Sequence, residues 1–400
     1  MRPISDDERR ARLAIRHAIA PAARVADPVA ATRAVTVLHA TEPATVYLAV
    51  CARVDGLTVA DVDRALYEER TLVKQLAMRR TLFVFPRDLL PAAWGSASAR
   101  VAGQLRTRLV KEVEAAGLAL DGAAWLDTAC AAVLAHLDGD RESGAQELRE
   151  QVPELSGRMD LAVGKPYGAT VSVAPRVLTQ LAVEARLVRG RNAGHWRVSR
   201  PQWTSMAAWL GEEPAPMEPA AGYAELVSRW LRSFGPGTAA DLQWWLGATG
   251  GVVKQALADV GAEPVELDSG QTGWLLADDL EAGPHPGAWA ALLPVLDPTV
   301  MGWKTRDFFL GPHAPALFDV NGNAGTTAWW NGRIVGCWVQ DSAGTVVLEL
   351  LEDVPATGRS ALQTEAERLT AWLDGVRVGT VYSSPAMKAA VGRLDAPKRG

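Results

Sequence analysis

Residues 222–277 constrain the fold more tightly than any other stretch of this 400-residue chain. YAELVSRWLRSF places Leu226, Trp230 and Phe234 four residues apart, the spacing of one apolar helix face. Gly235-Pro236-Gly237 breaks that helix, and Thr238 then offers an N-cap oxygen with Asp241 three residues on to complete a capping box. AADLQWWLG closes a second helix at Gly247, and VVKQALADV makes a third ending at Gly261. PVELD, SGQTG and WLLAD then read as strand, turn and strand of a β-hairpin. Helix, helix–turn–helix and hairpin in that order make a winged helix, whose third helix or wing meets DNA. GPGTAA also fits a relaxed dinucleotide fingerprint, but that motif has to follow a strand; here it follows a helix and reads as a turn.

Two further copies of the unit are legible. Residues 7–86 carry helices near 7–19 and 28–38, a third beginning after Thr41-Glu42-Pro43, and a fourth, TVADVDRALYEE, capped by Thr58 and Asp61. TLVKQLA, a tight Met78-Arg79 turn and RTLFVFP form its hairpin. In the second copy Ser143 caps a short helix, PRVLTQLAVEA is a helix, and RLVRGR, NAG and HWRVS form a hairpin. The fold class expected is α+β, three tandem winged helices plus a C-terminal β-rich domain around a basic cleft. The boundaries are 1–86, 87–215 (a helical connector and the second winged helix), 216–285 and 286–400. In the last domain GRIVGCWVQ and TVVLELLED read as a strand pair, a helix follows at 360–374, VRVGTVYSS reads as a strand, and the tail is basic through Lys398 and Arg399.

Charge distribution says more than the net charge of −5. Residues 111–160 hold eleven acids and four bases, which concentrates negative charge in one segment. From Arg70 to Arg87 there are five bases and no acid, and from Arg186 to Arg200 five arginines, His195 and no acid. Both runs fall on hairpins of separate copies, with alternate residues expected on one exposed side. That coincidence points to a shared nucleic-acid channel.

Other chemistries find no support. Cys51, Cys130 and Cys337 lie far apart, which excludes a CxxC knuckle and a disulfide framework. The six histidines form no helical i,i+4 pair, so no metal and no cofactor is expected. Neither a GxSxG elbow nor a P-loop lysine motif is present. No run of about 18 apolar residues occurs, and MRPISDDERRAR is charged where a signal peptide needs an apolar core, so no membrane partner and a cytoplasmic, nucleoid-associated location are expected. What remains is VLHATEPATVYLAVCARV, where His39, Thr41 and Glu42 sit between the end of one element and the positive end of the next helix. From spacing alone the structural reading comes first: Thr41 as an N-cap, Glu42 against the helix dipole and His39 as a hydrogen-bonded core histidine, because polar residues clustered at element ends usually do capping.

LHATEPATVYLAVCARV, MRRTLFVFP, RWLRSFGPGTAADLQWWLG, LPVLDPTVMGWKTRDFFL and GNAGTTAWWNGRIVGCW together resemble the winged-helix DNA glycosylases of the AlkZ and YcaQ type, over most of the chain. The resemblance implies excision of alkylated bases, bulky and cross-linking adducts included, from double-stranded DNA by a monofunctional enzyme, and three winged helices in one chain with basic wings point to a monomer. The family's catalytic pair is a glutamine, an apolar residue, then glutamine or aspartate. The matching positions here are His39, Ala40 and Thr41, so neither family side chain is kept. His39 is then the candidate base, Thr41 the water-orienting partner and Glu42 a secondary carboxylate. DNA contacts are expected from Arg70, Lys74, Arg79, Arg80, Arg189, Arg191 and Arg197 on the wings, with Lys304 and Arg306 added from GWKTR. The changed pair keeps open an alternative, a non-catalytic winged-helix DNA-binding protein such as a regulator or an adduct-recognition factor.

Overall fold

The computed structural model describes residues 1–139, 141–161 and 169–395; the basic tail with Lys398 and Arg399 lies outside them. Helices and sheets mix along the whole chain, which forms two units, Met1–Ala65 with Ala224–Gly400, and Leu66–Tyr223.

In the first unit, the segment read most closely from sequence has the expected elements. Helix Pro219–Phe234 is followed by Ala239–Leu246 and Gly250–Asp259, then by strands Ala262–Leu267 and Thr272–Leu276 paired antiparallel. Thr238 and Asp241 form the reciprocal capping box. Gly237 has to be glycine because a Cβ there would run into the Trp230 ring. GPGTAA is therefore a turn, and its Gly237–Thr238 pairs with Thr272–Leu276. One neighbour was not legible: strand Arg2–Ile4 at the start of the chain pairs parallel with Ala262–Leu267. Trp230, Phe234, Trp303 and Phe308 pack with ring centroids 5.0–5.6 Å apart, and Arg9 lies 3.6 Å over Phe308.

The later part of this unit holds a four-stranded antiparallel sheet, Ala290–Leu293, Thr327–Trp330, Arg333–Gln340 and Val346–Leu350, backed by helix Ala356–Leu373. Trp329 lies in a strand, fully buried, with its indole N–H donated to Thr327 Oγ1 at 2.8 Å. VRVGTVYSS is not a strand. Gln340 receives the Val378 N–H at 2.9 Å and donates to the Val376 carbonyl at 3.0 Å, so one side chain satisfies what a strand would have offered. Helix Pro385–Asp395 follows, unforeseen from the sequence.

The second unit carries the Ala-rich connector as helices Ala99–Ala115 and Gly122–His136. It also holds both basic hairpins. Leu72–Leu76 pairs with Leu82–Pro86, and Leu187–Asn192 with Pro201–Ser205. The second hairpin closes later than expected: HWRVS is loop, and PQWTS is the returning strand. Ser143 is not a cap but part of strand Ser143–Gly144, which pairs with Pro201–Ser205 while Gly144 precedes helix Ala145–Gln151.

Candidate active site

Two residues, Ala40 and Thr41, separate strand Leu38–His39 from Glu42, the N-cap of helix Pro43–Cys51. Proline at the first helical position loses nothing, because that N–H would be orphaned anyway. Every residue from Ala44 to Cys51 is buried, so this is a core helix held on all sides and not an amphipathic one. Thr45 donates to the Val295 carbonyl at 3.2 Å. At its other end the orphan Ala49 carbonyl accepts from Arg53 at 2.7 Å. Arg53 in turn grips Asp297 bidentately at 2.9 and 2.8 Å, both side chains fully buried. The same guanidinium bonds Thr299 Oγ1 at 2.8 Å, which also meets His17 Nδ1 at 2.9 Å. Burial, reinforced by the charges of Arg53 and Arg16, holds His17 well below the usual histidine range.

The three candidates sit at graded depth. His39 is buried at 6% exposure, Glu42 half-buried and Thr41 exposed. The helix carries no side-chain cap, so neither Thr41 nor Glu42 does the capping expected of residues at that place. Glu42 faces elsewhere: its Oε1 accepts from the Thr380 hydroxyl at 2.9 Å and from the Val381 N–H at 2.8 Å. Burial raises this carboxyl above the ordinary glutamate value, partly offset by those two bonds. Tyr382 lies alongside, its hydroxyl pushed up by burial and then by the charges of Glu42 and Asp319. Thr380, Val381 and Tyr382 were missed because the segment was read as a strand; Gly379 and the Ser384-Pro385 pair were the signals against it.

Arg306 and Lys304 belong to the same unit. Arg306 is half-buried, 4.9 Å over the Phe318 ring and 5.1 Å over Trp244, and donates to the Val300 carbonyl at 2.9 Å. Trp244 is half-buried and serves as a platform for that guanidinium. Lys304 is exposed, its backbone N–H held by Asp241 Oδ1 at 2.9 Å.

In the second unit the two basic runs meet, strand Leu72–Leu76 packing beside Leu187–Asn192. The strands do not expose alternate residues, however; four of the five residues in Leu72–Leu76 are buried. Gln75 shows why. It is 1% exposed and donates to the Ala182 carbonyl at 3.0 Å while accepting the Trp94 indole N–H at 3.0 Å, which seals both faces of the strand. Arg70 is spent on packing, bonded to the Trp209 carbonyl at 2.7 Å and stacked 4.2 Å over its ring. Lys74 is half-buried and donates to the Tyr67 hydroxyl at 2.7 Å. Arg189 lies 5.2 Å over Trp203, its pKa lowered by desolvation.

Exposed charge sits at the turns instead. Arg79 and Arg80 occupy the first tip, both with positive φ. The turn desolvates Arg79 enough to lower it to about 10, still protonated at neutral pH. Arg191 and Arg197 are exposed on the second hairpin, as are Arg186 and Arg200 at the ends of the same basic run, which are not among the expected DNA contacts. Asn192 organises that loop, donating to the Val198 carbonyl at 2.8 Å and accepting the Arg200 N–H at 2.7 Å. Asparagine before Ala-Gly was the available signal.

No helix among the described residues is long and apolar enough to cross a membrane. A search of curated proteins finds no match. Among solved structures, the DNA glycosylase AlkZ of Streptomyces sahachiroi superposes with a TM-score of 0.74 at 19% identity, covering 94% of this chain and 99% of its own. The profile of the AlkZ-like DNA glycosylases matches residues 32–372, a span that includes the His39–Glu42 segment, both hairpins and all four strands of the later sheet. The chain belongs to the AlkZ-like DNA glycosylase family, enzymes that hydrolyse N-glycosyl bonds in DNA.

Proposed function

We propose that the enzyme excises alkylated purines, N7-alkylguanines first among them and bulky genotoxin adducts included, from double-stranded DNA. The chemistry favours that class. An N7-alkylated guanine already bears positive charge and departs without a general acid. The enzyme then has to stabilise an oxocarbenium-like sugar and deliver water to C1′, as in glycoside hydrolysis. His39 takes the proton of that water, and Thr41, exposed beside it in sequence, orients it. The positive end of helix Pro43–Cys51 favours the negative charge developing on the water, and Glu42 is a secondary carboxylate.

One observation carries this reading. His39 and Thr41, the positions that the resemblance matches to the family's catalytic pair, lie ahead of a helix whose residues 44–51 are all buried, and the polar residues there are not used as side-chain caps. Arg79, Arg80, Arg191 and Arg197 then neutralise phosphates from the hairpin tips, with Lys304 and Arg306 from the other unit. Arg70, Lys74 and Arg189 support those hairpins from within. The enzyme acts as a monomer in the cytoplasm, at the nucleoid, and serves base excision repair; a producer of DNA-alkylating compounds would use it for self-resistance.

The test is free-base release from duplexes carrying one small and one bulky N7-alkylguanine. Release of either supports the reading, and release of the bulky adduct alone makes the enzyme a specialist. Tight binding with release of neither contradicts it.

A further inference from the structure

Within the second unit, at the tip of the first basic hairpin, lies a cavity of about 490 Å³. Small-molecule sites run from roughly 300 to 1,000 Å³, so a ligand the size of a nucleotide has room there. Leu105 and Leu109 of helix Ala99–Ala115 line it, with Val171 of strand Ala169–Ser172 and Pro175 from helix Ala174–Val183. Leu105 and Val171 are half-buried, apolar surface that the cavity leaves open.

The charge around it has one sign. Arg80, Arg108 and Arg176 line the cavity, and no acid does. Glu112 bridges two of the three, accepting from Arg108 at 2.8 Å and from Arg176 at 2.6 Å. One carboxylate thus serves two guanidiniums, and among the described residues no acid pairs with Arg80.

The hairpin turn holds the Arg80 backbone in place: its N–H bonds the Ala77 carbonyl at 3.0 Å, and the Ala77 N–H bonds the Thr81 carbonyl at 3.0 Å. Two hydroxyls interrupt the apolar wall. Thr179 donates its proton to the Pro175 carbonyl at 2.5 Å, which leaves its oxygen as an acceptor. Ser172 Oγ accepts the Ala174 N–H at 3.3 Å and keeps its own proton to donate. The ligand that matches is a flat, largely apolar ring with donors and acceptors on its edge, carried beside an anion. A nucleotide has that make-up. A base inside a duplex is covered by stacking and pairing, so only an unpaired one can enter.

We propose that this cavity holds one unpaired nucleotide of the bound DNA, its base against Leu105 and Val171 and its phosphate on Arg80. The proposal rests on the reading of the hairpin tips as phosphate contacts. It gives the second unit a task of its own, which is to favour DNA in which a base already stands outside the helix.

The test measures, by fluorescence anisotropy, the affinity of the full chain for three undamaged duplexes of one sequence. One is fully paired, one carries a single extra guanine, and one carries a tetrahydrofuran residue in place of that guanine. Wild type is expected to bind the guanine bulge about tenfold tighter than the paired duplex, from the ring surface it buries. The tetrahydrofuran bulge keeps the flexibility of a bulge without the base, and should bind like the paired duplex. Leu105→Trp and, separately, Val171→Trp fill the cavity from two different elements. Each should bring the guanine bulge down to paired-duplex affinity and leave the paired duplex within about twofold of wild type, because that affinity comes from phosphate contacts. If one of the two misfolds, the other still reads the cavity. Equal affinity of wild type for all three duplexes, an equal gain with both bulges, or a preference that survives filling overturns the proposal. If wild type shows no bulge preference but binds free dGMP, and filling abolishes that binding, the cavity belongs to a free nucleotide and the proposal is likewise overturned. Failure to bind any duplex would strike the reading of the hairpin tips as well. No lesion enters the assay, so it judges the cavity whether or not N7-alkylguanine is the substrate.

Discussion

The Arg53–Asp297 pair is where helix Pro43–Cys51, behind the candidate catalytic segment, is fastened, and its removal has a calculable cost. Both side chains are fully buried, and Arg53 donates to the carboxylate, Thr299 and the His17 and Ala49 carbonyls. Asp297→Ala leaves a buried guanidinium without its counter-charge, worth about 3–5 kcal/mol. It also deletes the N-cap that accepts the Thr299 N–H at 2.9 Å, worth about 1 kcal/mol more. Arg53→Met strands the carboxylate instead and should cost about 3–5 kcal/mol. The double variant Arg53→Met/Asp297→Leu carries no buried charge, so its loss should fall short of the summed single losses by about 3 kcal/mol. Urea unfolding measures the totals. Hydrogen exchange of the amides in Pro43–Cys51 reports the local part, which matters in a chain of two units. Single losses near about 1 kcal/mol, or losses that simply add, would refute the reasoning.

Three other outcomes follow from the same structure. Gly237→Ala forces a Cβ into the buried Trp230 ring and should cost about 1–3 kcal/mol in urea unfolding. Arg191→Ala and Arg197→Ala should each reduce the slope of log affinity for DNA against log salt by about 0.9, whereas Arg70→Ala should leave the slope and lower stability. His17 stays neutral in the folded state, so the unfolded chain binds one more proton once pH falls below about 6.5. Stability of the first unit should therefore decline as pH drops through that value, and urea midpoints of His17→Gln should decline less steeply.

Local signals in the sequence carried well where the structure they specify is local. Thr238 and Asp241 form the capping box that their three-residue spacing implies, and Thr58 with Asp61 does the same. Trp230 and Phe234, four residues apart, stack in the core. Pairings across long stretches of chain were not legible: nothing in Arg2–Ile4 announces a partner at Val265–Leu267. The alternation in VRVGTVYSS signals a strand, but the ladder it needs is supplied by the side chain of Gln340. The arginine runs marked the hairpins correctly, while burial decided which arginines face outward. Arg70 and Arg189 went to aromatic rings, and the tips kept Arg79, Arg80, Arg191 and Arg197. At the candidate active site the sequence singles out His39, Thr41 and Glu42 as candidates; the contact of Glu42 with residues 380–381 depends on tertiary packing.

His39→Ala tests the central claim most directly, measured as free-base release from N7-alkylguanine duplex beside DNA affinity. Abolished release with affinity nearly unchanged is the outcome predicted for a base that acts on the attacking water. Full release by the variant would contradict it and move the chemistry away from this histidine.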